Sequence, residues 1–166
     1  MSLIQVQLHQ AFLFYETQKN RYAKRVHRQG TITINAPVER VWDALVNPGI
    51  IKQYMFGTEV VSDWEEGSPI VWKGEWQGKK YEDKGTILKL KQQRMISYSH
   101  FSPLSELPDV SENYHTVTIE LSTDKNGTLV TLMQNNNPDE EARQHSEQNW
   151  GMMLSSLKSL MEKVRR

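Results

Sequence analysis

The sequence has 166 residues, of which 37% are hydrophobic and 24% charged, and this composition suits one globular domain with a real core. It contains no cysteine, which excludes disulfides, zinc–thiolate sites and thiol catalysis. Acidic and basic residues balance at 20 each, but residues 1–29 carry a net charge of +4 and the remainder carries −4.

The sequence predicts neither a membrane span nor a secretory leader. No apolar run approaches the ~18 residues that a membrane span needs. The apolar patch Ala11–Tyr15 is too short for a leader, and no small-residue cleavage site follows it. The basic stretch lacks aromatic interleaving, and the rest of the chain is mildly acidic. We therefore expect a cytoplasmic protein that binds neither membranes nor nucleic acid.

Residues 1–29 are interpreted as an N-terminal extension of uncertain structure. Within them, Phe12–His27 is compatible with a helix because it contains no glycine or proline. The domain proper is predicted to span residues 30–166.

The predicted domain begins with a strand and two short helices. Polar and apolar residues alternate in Thr31–Ile34, which favours a half-buried strand. Pro37 suits the first turn of a helix, and Asn47-Pro48-Gly49 ends that helix. A second short helix, Ile50–Tyr54, is expected to follow.

A run of further strands is predicted next, for a total of about six to seven. Gly85 lies inside one of them and indicates a bulge or a bend. The last two form a hairpin through Asn126-Gly127, which is a strong turn signal. The predicted strands are Thr58–Ser62, Ser68–Trp76, Tyr81–Lys91, Arg94–Phe101, Tyr114–Ser122 and Thr128–Gln134.

A long amphipathic helix, Pro138–Val164, is predicted after the last strand. Asn137 suits the N-cap and Pro138 the first helical position. Apolar residues recur downstream at three- and four-residue spacing and form one broad stripe. Strands followed by a helix favour an α+β fold with an antiparallel sheet. If that sheet curls around a single helix, the space between them is the natural ligand site.

Strand parity predicts which side chains face this space. The inward positions are mainly apolar and carry a few polar groups at one end, which suits an amphipathic small molecule. The alternative is that the tryptophans simply fill the core. The predicted pocket residues are Trp72, Trp76, Tyr98, His100, His115, Val117, Ile119, Leu132, Gln134, Trp150, Met153, Leu154 and Leu157.

The sequence contains no recognisable catalytic or metal-binding motif. None of its histidines has metal-ligand spacing. The strand order allows His100 and His115 to approach each other, and a metal held by both with a carboxylate is the less favoured alternative. There is no Gly-x-Ser-x-Gly elbow, phosphate loop or dinucleotide fingerprint. We therefore predict no catalytic residue, metal or cofactor, and the motifs lean against an enzyme.

Three segments resemble one known family. They are TITINAPVERVWDALVNP at Thr31–Pro48, SELPDVSENYHTVT at Ser105–Thr118 and HSEQNWGMMLSSLKSLME at His145–Glu162. Together they resemble the START-like (SRPBCC) superfamily, in its branch similar to the C-terminal domain of the heat-shock-protein-90 ATPase activator. The resemblance covers about residues 29–163. It implies a helix-grip fold, in which a curved antiparallel sheet wraps a long C-terminal helix, with two short helices after the first strand.

The resemblance leaves three functions open, because a fold does not fix a function. Family members bind lipids, polyketides, hormones or other hydrophobic molecules, which implies a small hydrophobic or amphipathic ligand. The resemblance to the ATPase activator implies a chaperone as an alternative partner. The third alternative is a cyclase- or hydrolase-type enzyme that uses the same pocket. A monomer and a homodimer are both compatible with the sequence.

Overall fold

The computed structural model describes residues 3–23 and 25–163 as an α+β fold built on one antiparallel sheet. Among these residues, no helix is long and apolar enough to cross a bilayer. The helices are α1 (Leu3–Ala23), α2 (Val38–Val46), α3 (Pro48–Tyr54) and α4 (Glu140–Lys163). The strands are β1 (His27–Ile34), β2 (Glu59–Ser62), β3 (Pro69–Trp76), β4 (Lys79–Lys91), β5 (Met95–His100), β6 (His115–Asp124) and β7 (Gly127–Gln134).

The seven strands follow the order β1-β7-β6-β5-β4-β3-β2, and every neighbouring pair is antiparallel. Two short helices, α2 and α3, lie between β1 and β2 in the chain, and α4 follows β7. This is the helix-grip arrangement, so the predicted fold class is confirmed.

The start of the chain differs from the predicted element boundaries. Helix α1 runs over Leu3–Ala23, so the predicted helix Phe12–His27 was wrong at both ends. Strand β1 begins at His27, opposite Gln134 of β7, so residues 27–29 belong to the sheet. All described side chains from 4 to 17 are exposed. The division into an extension and a domain at residue 29 remains a prediction.

The cap of α4 also differs from the prediction. The helix begins at Glu140, and the backbone N–H of Ala142 donates to Asp139 Oδ1 at 2.8 Å. Asp139 is therefore the N-cap, because its side chain satisfies a free N–H of the first turn. Asn137, predicted for that role, is buried instead. The predicted helix end at Val164 lies outside the described residues.

Two glycines permit the close approach of neighbouring elements. A Cβ at Gly30 would lie 2.8 Å from Cδ1 of Leu154, so its absence lets α4 pack onto β1. A Cβ at Gly85 would lie 1.7 Å from the Ser99 carbonyl oxygen, so β4 and β5 meet there only because residue 85 has no side chain. The β4–β5 register shifts two residues further on, which agrees with the bend predicted at Gly85.

Candidate functional site

The space between the sheet and α4 is a small apolar cavity of about 30 Å³. Small-molecule pockets usually measure about 300–1,000 Å³, whereas one water needs only about 10–15 Å³. The predicted open pocket is therefore absent in this conformation, because large side chains fill the space. The lining residues are Leu45, Ile51, Tyr54, Met55, Trp64, Ile70, Trp72, Ile96, Tyr98, Ile119, Trp150 and Met153.

The structure divides the predicted pocket residues into four groups. Five line the cavity, namely Trp72, Tyr98, Ile119, Trp150 and Met153. Four are buried in the adjoining core, namely Val117, Leu132, Leu154 and Leu157. Trp76 is 52% exposed at the end of β3 beside Phe56, away from the cavity. The remaining three, His100, His115 and Gln134, lie together at the polar end of the inward face.

Sequence reasoning missed the wall that α2, α3 and Trp64 contribute. Ile51 and Tyr54 are three residues apart in α3, so helical spacing alone would have placed them on one face. Trp64 follows β2 with a φ of 56°, a left-handed conformation that no pattern in the sequence indicated.

Four polar side chains on neighbouring strands form a transverse polar row: Asp83 of β4, His100 of β5, His115 of β6 and Gln134 of β7. Ladder partners point to the same face of a sheet. Asp83 stands opposite the buried Trp72, His100 opposite His115, and Gln134 opposite the buried Val117. The polar row therefore lies on the inward face, beside the cavity. Asp83, which sequence reasoning missed, was detectable by parity with Gly85 and Ile87 on β4.

Asp83 and His100 form an oriented pair. Their Oδ2 and Nε2 atoms are 2.9 Å apart, and the side chains are 16% and 28% exposed. The carboxylate accepts, so Nε2 of the imidazole donates. The other carboxylate oxygen, Oδ1, is buried and has no hydrogen-bond partner among the described residues. The His100 ring lies edge-on to Trp72, with 5.2 Å between ring centroids.

His115 stacks on His100, with ring centroids 6.3 Å apart, which confirms that the two histidines approach. Its Nδ1 lies 3.0 Å from the carbonyl oxygen of Asn135, which can only accept, so Nδ1 carries the hydrogen. Burial lowers the pKa of His115; the hydrogen bond to Asn135 opposes this shift, and the neighbouring His100 adds to it. The neutral ring therefore presents a lone pair on Nε2 at neutral pH.

Gln134 connects the polar row to α4. Its Oε1 accepts from the indole N–H of Trp150 at 2.7 Å, and its Nε2 donates to Asn137 Oδ1 at 3.2 Å. Trp150 thus touches both the polar row and the cavity. One hydrogen bond holds its indole in this position.

The first half of α4, residues 140–152, reaches the polar row through Trp150 and has few buried contacts. No side chain between 140 and 152 is buried, whereas Met153, Leu154, Leu157 and Met161 are. Arg143 is paired with Glu140 at 2.7 Å and with Glu147 at 2.8 Å on the same helix. Gly151 has open space where a Cβ would be. Few buried contacts therefore hold this half of the helix to the sheet.

The chemistry available in the polar row is hydrogen bonding and proton transfer. An imidazole oriented by a carboxylate is the arrangement of a general base. Within the described part of the chain, no three His, Cys, Asp or Glu side chains are placed to hold a metal ion.

A second concavity, an open groove of about 700 Å³, lies on the outer face of the sheet beside residues 109–116. Its ionisable groups are already satisfied, since Tyr114 donates to Asp109 Oδ1 at 2.7 Å and Lys84 pairs with the other carboxylate oxygen. It contains none of the predicted pocket residues. The inward site therefore remains the stronger candidate.

Several solved structures share the fold of this chain, and one of them is also similar in sequence. The solution structure of ChR145 from Cytophaga hutchinsonii is 57% identical, covers 87% of this chain and 99% of its own, and has a TM-score of 0.75. The crystal structure of NE0264 from Nitrosomonas europaea is 20% identical over 86% of this chain and 97% of its own, with a TM-score of 0.67. The Aha1 dimer from Colwellia psychrerythraea is 20% identical over 83% and 96%, with a TM-score of 0.65.

No curated protein is similar enough to count as a match. A family model does match residues 35–162, which begin at the end of β1 and run almost to the end of α4. Its description is "Activator of Hsp90 ATPase homolog 1-like protein". The matched range contains every residue of the cavity and of the polar row. With the helix-grip fold established independently, the chain belongs to the family of activator of Hsp90 ATPase homolog 1-like proteins.

Proposed function

We propose that the protein binds one small amphipathic molecule between the sheet and the first half of α4. The apolar part of the ligand would occupy an enlarged cavity, and its polar end would meet the polar row. The observation that carries this proposal is the continuity of the two regions. Trp72 lines the cavity and touches His100, and Trp150 lines the cavity and bonds to Gln134.

Binding requires the cavity to open, and Trp150 is the side chain best placed to move. If the Trp150 indole leaves the cavity, it breaks one hydrogen bond, to Gln134. Trp150 also lies in the first half of α4, in which no side chain is buried. Met55 and Met153 also line the cavity, and methionine adapts to irregular space. The apparent affinity of the wild-type chain would then be reduced by the fraction of molecules in which Trp150 is displaced.

The test uses the neutral fluorescent probe N-phenyl-1-naphthylamine, titrated into the full chain. We expect saturable one-to-one binding, confirmed by native mass spectrometry. Trp150→Ala removes the side chain that occupies the site, so it should bind the probe at least about tenfold more tightly, a change of about 1.4 kcal/mol. Gln148→Ala is the matched control, because Gln148 lies on the same half of α4 and is exposed.

Two results would contradict the proposal. One is the absence of saturable binding by both the wild type and Trp150→Ala, provided that both have native far-ultraviolet spectra. The other is an equal gain in affinity for Gln148→Ala, which would show that the probe binds elsewhere.

The family description supports a second candidate function, association with an Hsp90-type chaperone. This function would also require the cytoplasmic location, which remains a prediction. The expected result is a raised ATPase rate of a purified bacterial chaperone of this type when the full chain is added. No change in that rate, together with no comigration in gel filtration, would remove this candidate.

The Asp83–His100 pair keeps the third candidate, an enzyme, open. The pair supplies an oriented base, so a substrate placed at the polar row would be exposed to proton abstraction. Once a turned-over substrate is found, His100→Gln should lower kcat. An unchanged kcat would exclude the pair from the reaction.

A further inference from the structure

If the proposed function holds, the chemistry of the polar row also restricts the polar end of the ligand. Asp83 offers its unpartnered Oδ1. His100, whose Nε2 donates to Asp83, is left with Nδ1, and His115, whose Nδ1 donates to Asn135, is left with Nε2. A neutral imidazole accepts through its unprotonated nitrogen. Asp83, His100 and His115 therefore present three hydrogen-bond acceptors, and Gln134 adds the second N–H of its amide, since it gives only one to Asn137.

The formal charges around the polar row are negative in sum. Asp83 is the one carboxylate in the row, so the row has a formal charge of −1 when both imidazoles are neutral. Arg143 is the cation among residues 140–152 of α4, and it pairs with the carboxylates of both Glu140 and Glu147. The formal charges of these three side chains sum to −1. An entering anion would meet a carboxylate and two lone pairs, whereas an entering cation would meet three acceptors.

Other polar groups near the site do not reverse this preference. The Tyr98 hydroxyl stays neutral, because burial raises its pKa, and a hydroxyl both donates and accepts. Asn137 Nδ2 is an unpartnered donor, but it belongs to a fully buried residue behind Gln134 and suits an ordered water.

We infer that the site takes amphipathic ligands whose polar end is a hydrogen-bond donor, a protonated amine above all and a hydroxyl next, and that it discriminates against carboxylates.

The test compares three probes with one alkyl chain: decylammonium, decan-1-ol and decanoate. Each is titrated at pH 8, below its critical micelle concentration, against the full chain loaded with N-phenyl-1-naphthylamine, and displacement is followed by fluorescence. At this pH the His115 ring is neutral, because burial lowers its pKa. We expect decylammonium to displace the fluorophore at a concentration at least tenfold lower than decanoate, with decan-1-ol between them.

Two variants test whether the polar row causes this order. Asp83→Asn removes the charge and should bring decylammonium to the level of decan-1-ol. Glu120→Gln is its control, because Glu120 is an exposed acid on the outer face of β6, and it should keep the wild-type order. His115→Phe keeps a ring against His100 but loses the Nε2 acceptor. It should weaken both donor probes and leave decanoate unchanged, and it serves if Asp83→Asn does not fold.

The outcomes separate this inference from the proposed function. If the fluorophore binds and all three probes displace it equally, only the alkyl chain is recognised, and the inference fails while the proposed function stands. Tighter binding of decanoate overturns the inference in the same way. If the fluorophore itself does not bind, both fail. The expected order supports the inference only if Asp83→Asn or His115→Phe abolishes it and Glu120→Gln does not.

Discussion

Replacing Gly151 with alanine tests whether the first half of α4, residues 140–152, packs as loosely as the structure shows. Gly151 lies inside the helix, and a Cβ built on it meets no atom of another element within 4 Å. An interior glycine destabilises a helix by roughly 0.5–1 kcal/mol relative to alanine. Because nothing opposes the added methyl group, Gly151→Ala should raise the free energy of unfolding by about that amount.

The assay is urea unfolding together with a thermal melt. For a chain of this size, 1 kcal/mol corresponds to about 2–4 °C in Tm, so the expected rise is about 1–4 °C. Gly85→Ala is the contrasting variant, because its Cβ would lie 1.7 Å from a backbone oxygen of Ser99, and it should be strongly destabilised. A lowered or unchanged stability of Gly151→Ala would show that this half of α4 is packed more tightly than its unburied side chains indicate.

Three further predictions concern the core and the start of the chain. Because the pKa of His115 is lowered in the folded chain, unfolding takes up a proton below about pH 6.5, and the free energy of unfolding should fall as the pH drops through this region. His115→Gln should flatten this pH dependence in urea unfolding at pH 5–8, and an equally steep dependence in the variant would contradict the prediction. The buried Tyr54 hydroxyl donates to Ala44 O at 2.8 Å, so Tyr54→Phe should cost about 1 kcal/mol, and an unchanged midpoint would contradict this. Because the described side chains of α1 from 4 to 17 are exposed, a chain that begins at residue 25 should keep the Tm of the full chain, and a large loss would show that α1 packs on the domain.

The sequence was sufficient for most of the fold because its patterns are local. Alternation marks the strands, and the spacing from Trp150 to Met161 marks the buried stripe of α4. The N-cap was misplaced by two residues because Asn137 and Asp139 both suit a cap. Only the packing shows that Asn137 is taken by Gln134.

The candidate site was predictable only in part, because parity assigns a face but not a volume. Parity placed Trp72, His100 and His115 correctly on the inward face, yet it also placed Trp76 there. Trp76 lies where β3 extends past the covered part of the sheet and is half exposed. The contact between Asp83 and His100 depends on the register of β4 against β5, which a bulge shifts, and a single sequence does not reveal that register.

The two halves of α4 differ in what holds them to the sheet, and this difference bears on where selectivity would reside in the proposed ligand site. From residue 153 onward the helix buries four apolar side chains, each worth about 1.5–3 kcal/mol. The first half has the Asp139 cap, exposed ion pairs of Arg143 that solvent screens, and one bond from Trp150 to Gln134. Such a segment opens at a lower free energy than the core. If this half of α4 moves when the proposed ligand enters, it would contribute little to discrimination, and the fixed groups of the sheet, Asp83 above all, would select the ligand.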